Sequence, residues 1–163
     1  MTTITGYAFD TAEGAGKMLD LVQDLTRQQL IALEDAAIVT WPEDKKKPKT
    51  KHLDDMTGTG ALSGAFWGML FGLIFFIPFF GMAVGAALGA LAGHFSNYGI
   101  DKDFIQQAQD KVTKGTSAIF LMTSEAVMDK VSDEVKRSGL KFEVFYTNLS
   151  NEQEQQLKDD FGA

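Results

Sequence analysis

The chain has 163 residues, a formal net charge of −7 and no cysteine. That length fits one domain, with room for an insertion. The lack of cysteine excludes disulfides, Cys-ligated zinc, iron–sulfur clusters and thiol catalysis. The acidic balance argues against nucleic acid, whose binding needs clustered Lys and Arg.

Residues 1–41 read as the first half of an α/β head. Residues 4–9 are a β-prone run. Asp10 followed by Glu13 has the pattern of a capping box. Ala15, Met18, Leu19, Val22 and Leu25 then recur at steps of three and four, which predicts an amphipathic helix reaching about residue 33. Residues 36–41 form a second strand, stopped by Pro42. A linker over 42–55 carries Lys45, Lys46, Lys47, Lys49 and Lys51. Such a cluster beside an apolar segment marks the cytoplasmic side of a membrane and suits anionic headgroups.

Residues 56–100 contain no Asp, Glu, Lys or Arg. As one helix this run would be about 67 Å long, more than twice the roughly 30 Å of a bilayer core. Pro78 provides a break, which predicts a helical hairpin with arms at about 58–77 and 79–96. A single crossing would put the two α/β flanks on opposite sides of a membrane, whereas a hairpin lets them share a sheet. Gly60, Gly64, Gly68 and Gly72 recur every four residues, as do Gly81, Gly85, Gly89 and Gly93. Such ladders let helix backbones approach closely and predict helix packing, between the arms or between subunits. The turn at Phe76, Ile77, Pro78 and Phe79 has no polar side chain. It is expected in lipid, at its interface, or buried by other subunits.

Residues 101–163 complete the head. A helix over 101–114 carries Phe104, Ile105, Ala108 and Val112 on one side. Residues 117–123 are apolar at consecutive positions, as in a strand buried on both faces. Ser124 caps a helix ending at Gly139, and 141–147 alternate as a strand, with Phe142, Val144 and Tyr146 facing one way. Ser150 and Gln153 form a capping box that opens a polar C-terminal helix. With 42–116 set aside the order is β-α-β then β-α-β. This predicts an α+β, ferredoxin-like head interrupted by a membrane-inserted glycine-zipper hairpin; an α/β sandwich of different strand order competes with it. Tyr7, Phe9, Phe120 and Phe145 are a candidate oligomer face, unless the helix at 101–114 or the C-terminal helix covers them.

Catalytic patterns are missing. His52 and His94 have no second ligand at metal spacing. Gly58, Gly60 and Gly64 have the wrong spacing and context for a phosphate loop. The pairs Asp54/Asp55, Asp101/Asp103 and Asp159/Asp160 read as helix caps and surface charge. No enzyme activity, cofactor or metal is expected. The start MTTITGYAFD lacks the features of a signal peptide, so export is not expected.

The segments TGYAFDTAEGAGKMLDLV, TGTGALSGAFWGMLFGLIFFIPFFGMAVGAALGALAG and DKDFIQQAQDKVTKGTSAIFLM together resemble a bacterial family of small membrane proteins of unknown function, some associated with stress responses. The resemblance implies a bacterial membrane protein and supplies no activity and no functional residues. The expected function is that of a non-enzymatic homo-oligomer in the bacterial inner membrane, with both termini cytoplasmic, acting in membrane scaffolding or stress protection. The alternatives are a soluble oligomer that buries its hairpins in a hydrophobic centre, and a ligand-sensing regulatory head.

Overall fold

The computed structural model describes residues 2–52, 62–76, 93–124 and 128–162, without the side chains of 76 and 128–130. Gly60, Ile77, Pro78, Phe79, Gly81, Gly85 and Gly89 lie outside the described residues. The elements are β1 (Thr2–Phe9), α1 (Gly14–Arg27), β2 (Ala32–Thr40), β3 (Lys49–His52), α2 (Gly64–Phe71), a π-helical turn (Gly72–Phe76), α3 (Lys102–Lys111), β4 (Ser117–Ser124), α4 (Met128–Arg137), β5 (Phe142–Leu149) and α5 (Asn151–Phe161).

The strands form one antiparallel sheet in the order β3-β2-β4-β1-β5. Without β3, this is the interleaved order of two split β-α-β units: β1 lies between β4 and β5, and β4 between β1 and β2. Gly6 sits opposite Phe145 in the β1–β5 ladder. A Cβ there would come within 2.2 Å of the Phe145 ring, so only glycine lets that ring lie across the central strand.

The helix ends show where local chemistry decides and where tertiary structure does. Ser150 and Gln153 make the reciprocal capping box of α5. The box expected at Asp10 and Glu13 does not form. Glu13 occupies the N-cap of α1 without a side-chain cap. Instead, Ser117 Oγ, reaching from β4, accepts from the Ala15 N–H at 2.9 Å and donates to the Thr11 carbonyl at 2.7 Å.

One sheet face carries Tyr7, Phe9, Ile119 and Leu121 and is covered by Met18 and Val22 of α1 and Val131 and Val135 of α4. The other carries Ile4, Val39, Phe120, Met122 and Phe145. Phe66, Trp67, Leu70 and Phe71 of α2 cover it, together with Leu73, Ile74 and Phe75 of the π turn, Phe104 of α3 and Leu157 of α5.

This second face corrects the expected membrane-inserted hairpin. Among the described residues, no helix is long and apolar enough to cross a membrane. α2 has eight residues, and its large side chains cover the sheet. A charge-free run satisfies a lipid environment and a two-faced sheet equally well, and for residues 62–75 the sheet supplies the apolar surroundings. The proposed oligomer face is likewise used inside the chain: Tyr7, Phe9, Phe120 and Phe145 are at most 2 % exposed.

Of the linker residues, Lys49–His52 pair with β2 as an edge strand. Lysine on an edge hinders pairing with other chains, which gives Lys49 and Lys51 a structural reason to be there. Lys45, Lys46 and Lys47 lie exposed in the connection before β3.

Candidate functional site

The distinctive polar chemistry gathers where the uncharged segment leaves and rejoins the head. At the outgoing root, Asp35 is fully buried in β2 beside a bulge between Leu33 and Asp35. Its Oδ1 accepts from the Ala36 N–H at 2.8 Å and its Oδ2 from the Leu62 N–H at 2.9 Å. The indole N–H of Trp67 approaches the same carboxylate without full hydrogen-bond geometry, and His52 of β3 adds favourable charge. Burial nevertheless raises the Asp35 pKa above its ordinary value, the N–H donors and His52 offsetting only part of that effect. The group therefore acts as an acceptor that fixes the start of the uncharged segment onto β2.

Ser63, the next residue, donates its N–H to the Phe161 carbonyl at the end of α5, at 2.7 Å, and Leu62 forms a bridge with Gly162. The returning root is held by the same helix. Tyr98 is buried, and its hydroxyl donates to Asp160 at 2.5 Å. With that proton committed, the phenol oxygen accepts from His94 Nε2 at 2.9 Å. Burial first, then the Asp160 hydrogen bond and charge, push the Tyr98 pKa up to about 12. Asp160 is lowered, mainly by the Tyr98 hydroxyl and then by Gln156. The stabilisation from Tyr98 is fully present below pH 10.0 and is lost as pH rises toward about 12. The stabilisation from Asp160 is present above pH 3.8 and is lost as pH falls through its lowered value. Gly99 follows with φ +91°, a turn that suits glycine, and its carbonyl accepts from Thr147 Oγ1 at 2.5 Å.

Between the roots, α2 turns two unlike faces. Phe66, Trp67, Leu70 and Phe71 point into the core, while Gly64, Ala65, Gly68 and Met69 are exposed. A Cβ on Gly64 would come 2.9 Å from His52 Nε2, so that glycine also serves packing within the chain. A Cβ on Gly68, Gly72 or Gly93 meets nothing within 4 Å among the described residues. Beside the π turn, Trp41, Ile74, Phe75 and Val112 line a groove of about 450 Å³. Lys49 and Lys51 border another of about 370 Å³ with Glu13 and Gly16. Among the described residues, no three His, Asp or Glu side chains are placed to hold a metal ion.

The family described as protein of unknown function (DUF1269) matches residues 61–162, well over half of the chain. The chain belongs to the DUF1269 family. The matched stretch begins beside Leu62 and ends at Gly162, the pair bridged at the outgoing root. It leaves out β1, α1, β2 and β3, although β1 lies inside the sheet of this DUF1269 chain. Comparison with curated proteins and with solved structures gives no match.

Asp35 and Tyr98 were not singled out by sequence reasoning. The signal for Asp35 is an acid placed directly before the apolar run Ala36–Val39. Nothing in the spacing ties it to Leu62, 27 residues later.

Proposed function

We propose that this chain is a non-enzymatic self-assembly module whose copies meet through the outward face of α2. The observation that supports this reading is the exposed strip Gly64, Ala65, Gly68 and Met69 on α2, a helix without a single charged residue. A helix face left to water ordinarily carries polar or charged side chains. Glycine inside a helix costs about 1 kcal/mol relative to alanine, a cost offset where a neighbouring helix packs against the smooth surface and gains dispersion and Cα–H···O contacts.

Gly68→Leu separates this role from packing inside the head, because a Cβ at Gly68 meets nothing within 4 Å among the described residues. Sedimentation across a concentration series should show a wild-type mass above one chain that falls on dilution. Gly68→Leu should weaken association about tenfold, or about 1.4 kcal/mol, while the dissociated chain unfolds no more easily than wild type and gains up to about 1 kcal/mol of helix propensity. A wild type that is monomeric at every concentration contradicts the proposal. So does a Gly68→Leu chain of unchanged mass and reduced stability, which would place the strip against another part of the same chain.

A further inference from the structure

α5 holds both roots of the uncharged segment at once, and the geometry points to a regulatory role for it: a clasp that opens as a unit and exposes the aromatic cluster at those roots. At the outgoing root it supplies the Phe161 carbonyl to Ser63 and Gly162 to Leu62. At the returning root it supplies Asp160 to Tyr98. The Phe161 ring lies 5.8 Å from Phe66 and 5.9 Å from Tyr98, and Phe66 in turn lies 5.9 Å from Phe95. α5 therefore closes over a cluster drawn from both sides of the segment.

Its own hold is narrow. Leu157 is its one fully buried side chain, and Lys158 adds a link to Glu34 at 2.7 Å. α5 follows β5 directly through Ser150 and lies outside the sheet hydrogen bonding that ties the strands together. An element with few apolar contacts and mainly polar ties opens locally before the sheet does. When it opens, Ser63 loses its acceptor, whereas the neighbouring Leu62 N–H stays on Asp35. Two adjacent amides thus report separately on the clasp and on the sheet. Release uncovers Phe66, Phe95 and Tyr98 for contact with a second copy, a consequence that rests on the self-assembly reading.

Native-state hydrogen exchange on the full chain tests this. The α5 amides and the Ser63 amide should exchange as one group, about 100-fold faster than those of β1 and β4, with Leu62 in the slow group. Leu157→Ala should speed the fast group alone and raise binding of a hydrophobic dye. Exchange of α5 and Ser63 together with the sheet overturns the clasp, as does a Leu157→Ala chain with unchanged dye binding. If the fast group and the dye response appear while both chains stay monomeric at every concentration, the clasp stands and the self-assembly reading falls.

Discussion

Asp35→Ala should lower the stability of the chain by about 3–5 kcal/mol, among the largest effects of any single substitution. The carboxylate is fully buried and accepts from two backbone N–H groups, Ala36 and Leu62. Truncation removes the acceptor and leaves both donors buried. Asp35→Asn keeps the shape, but its amide NH2 must face one of those N–H donors. It should cost about half as much, roughly 1–3 kcal/mol. Urea unfolding of the two variants gives both numbers, and an Asp35→Asn chain of wild-type stability would show that the carboxylate is not the anchor. The pH dependence gives a second readout. Burial raises the Asp35 pKa from 3.8. The stabilisation linked to its protonation is therefore fully present below 3.8 and lost as pH rises through the raised folded value. Asp35→Asn should lack that component of the stability profile.

Trp67→Ala should cost about 3–5 kcal/mol, measured by urea unfolding in detergent-free buffer. Trp67 is 1 % exposed, with ring centroids 4.9 Å from Phe66 and 5.6 Å from Phe71. Removing it opens a cavity in the layer that covers the second face of the sheet. Two positions further along the same helix, Met69 is 38 % exposed. Met69→Ala should change unfolding by no more than about 0.5 kcal/mol. The contrast matters because an arm held in lipid would leave the stability of the head insensitive to both changes. Equal effects of the two substitutions would contradict the packing described for α2.

Most flanking elements were legible because their signals are local, although α1 ends at Arg27 rather than near residue 33 and β2 already begins at Ala32. The doubly apolar run of β4 and the Ser150–Gln153 capping box each depend on residues a few positions apart, and each structure follows its pattern. β5 forms where its alternation lies, but facing the other way: Val144 and Tyr146 are exposed, and Phe145, Thr147 and Leu149 are buried. The cap of α1 was not legible, since Ser117 is 102 residues from the Ala15 amide that it accepts from. β3 was hidden in a lysine-rich stretch, because an edge strand tolerates charge that a central strand would not. The segment around α2 misled for a different reason. Its two faces differ in size more than in polarity, with Gly64, Ala65 and Gly68 outside beside one larger residue, Met69, and Phe66, Trp67 and Leu70 inside. Hydropathy is nearly uniform around such a helix, so it reads as lipid-embedded. What the pattern lacked was the demand of the sheet itself: Phe120 and Phe145 need cover, and α2 with its π turn supplies it beside α3 and α5. The polar anchors were the least legible, because Asp35 and Tyr98 tie the segment to the head through partners 27 and 62 positions away.

The central claim is that the start of the uncharged segment belongs to the core of the head. It is tested most directly by proton–proton contacts between the rings of Phe71 and Phe120 in detergent-free solution. Their centroids lie 5.2 Å apart across the α2–sheet interface. The account predicts strong nuclear Overhauser cross-peaks between these rings, lost in Phe71→Leu. Their absence, with the Phe71 ring instead broadened by a paramagnetic probe carried in added lipid, would contradict it.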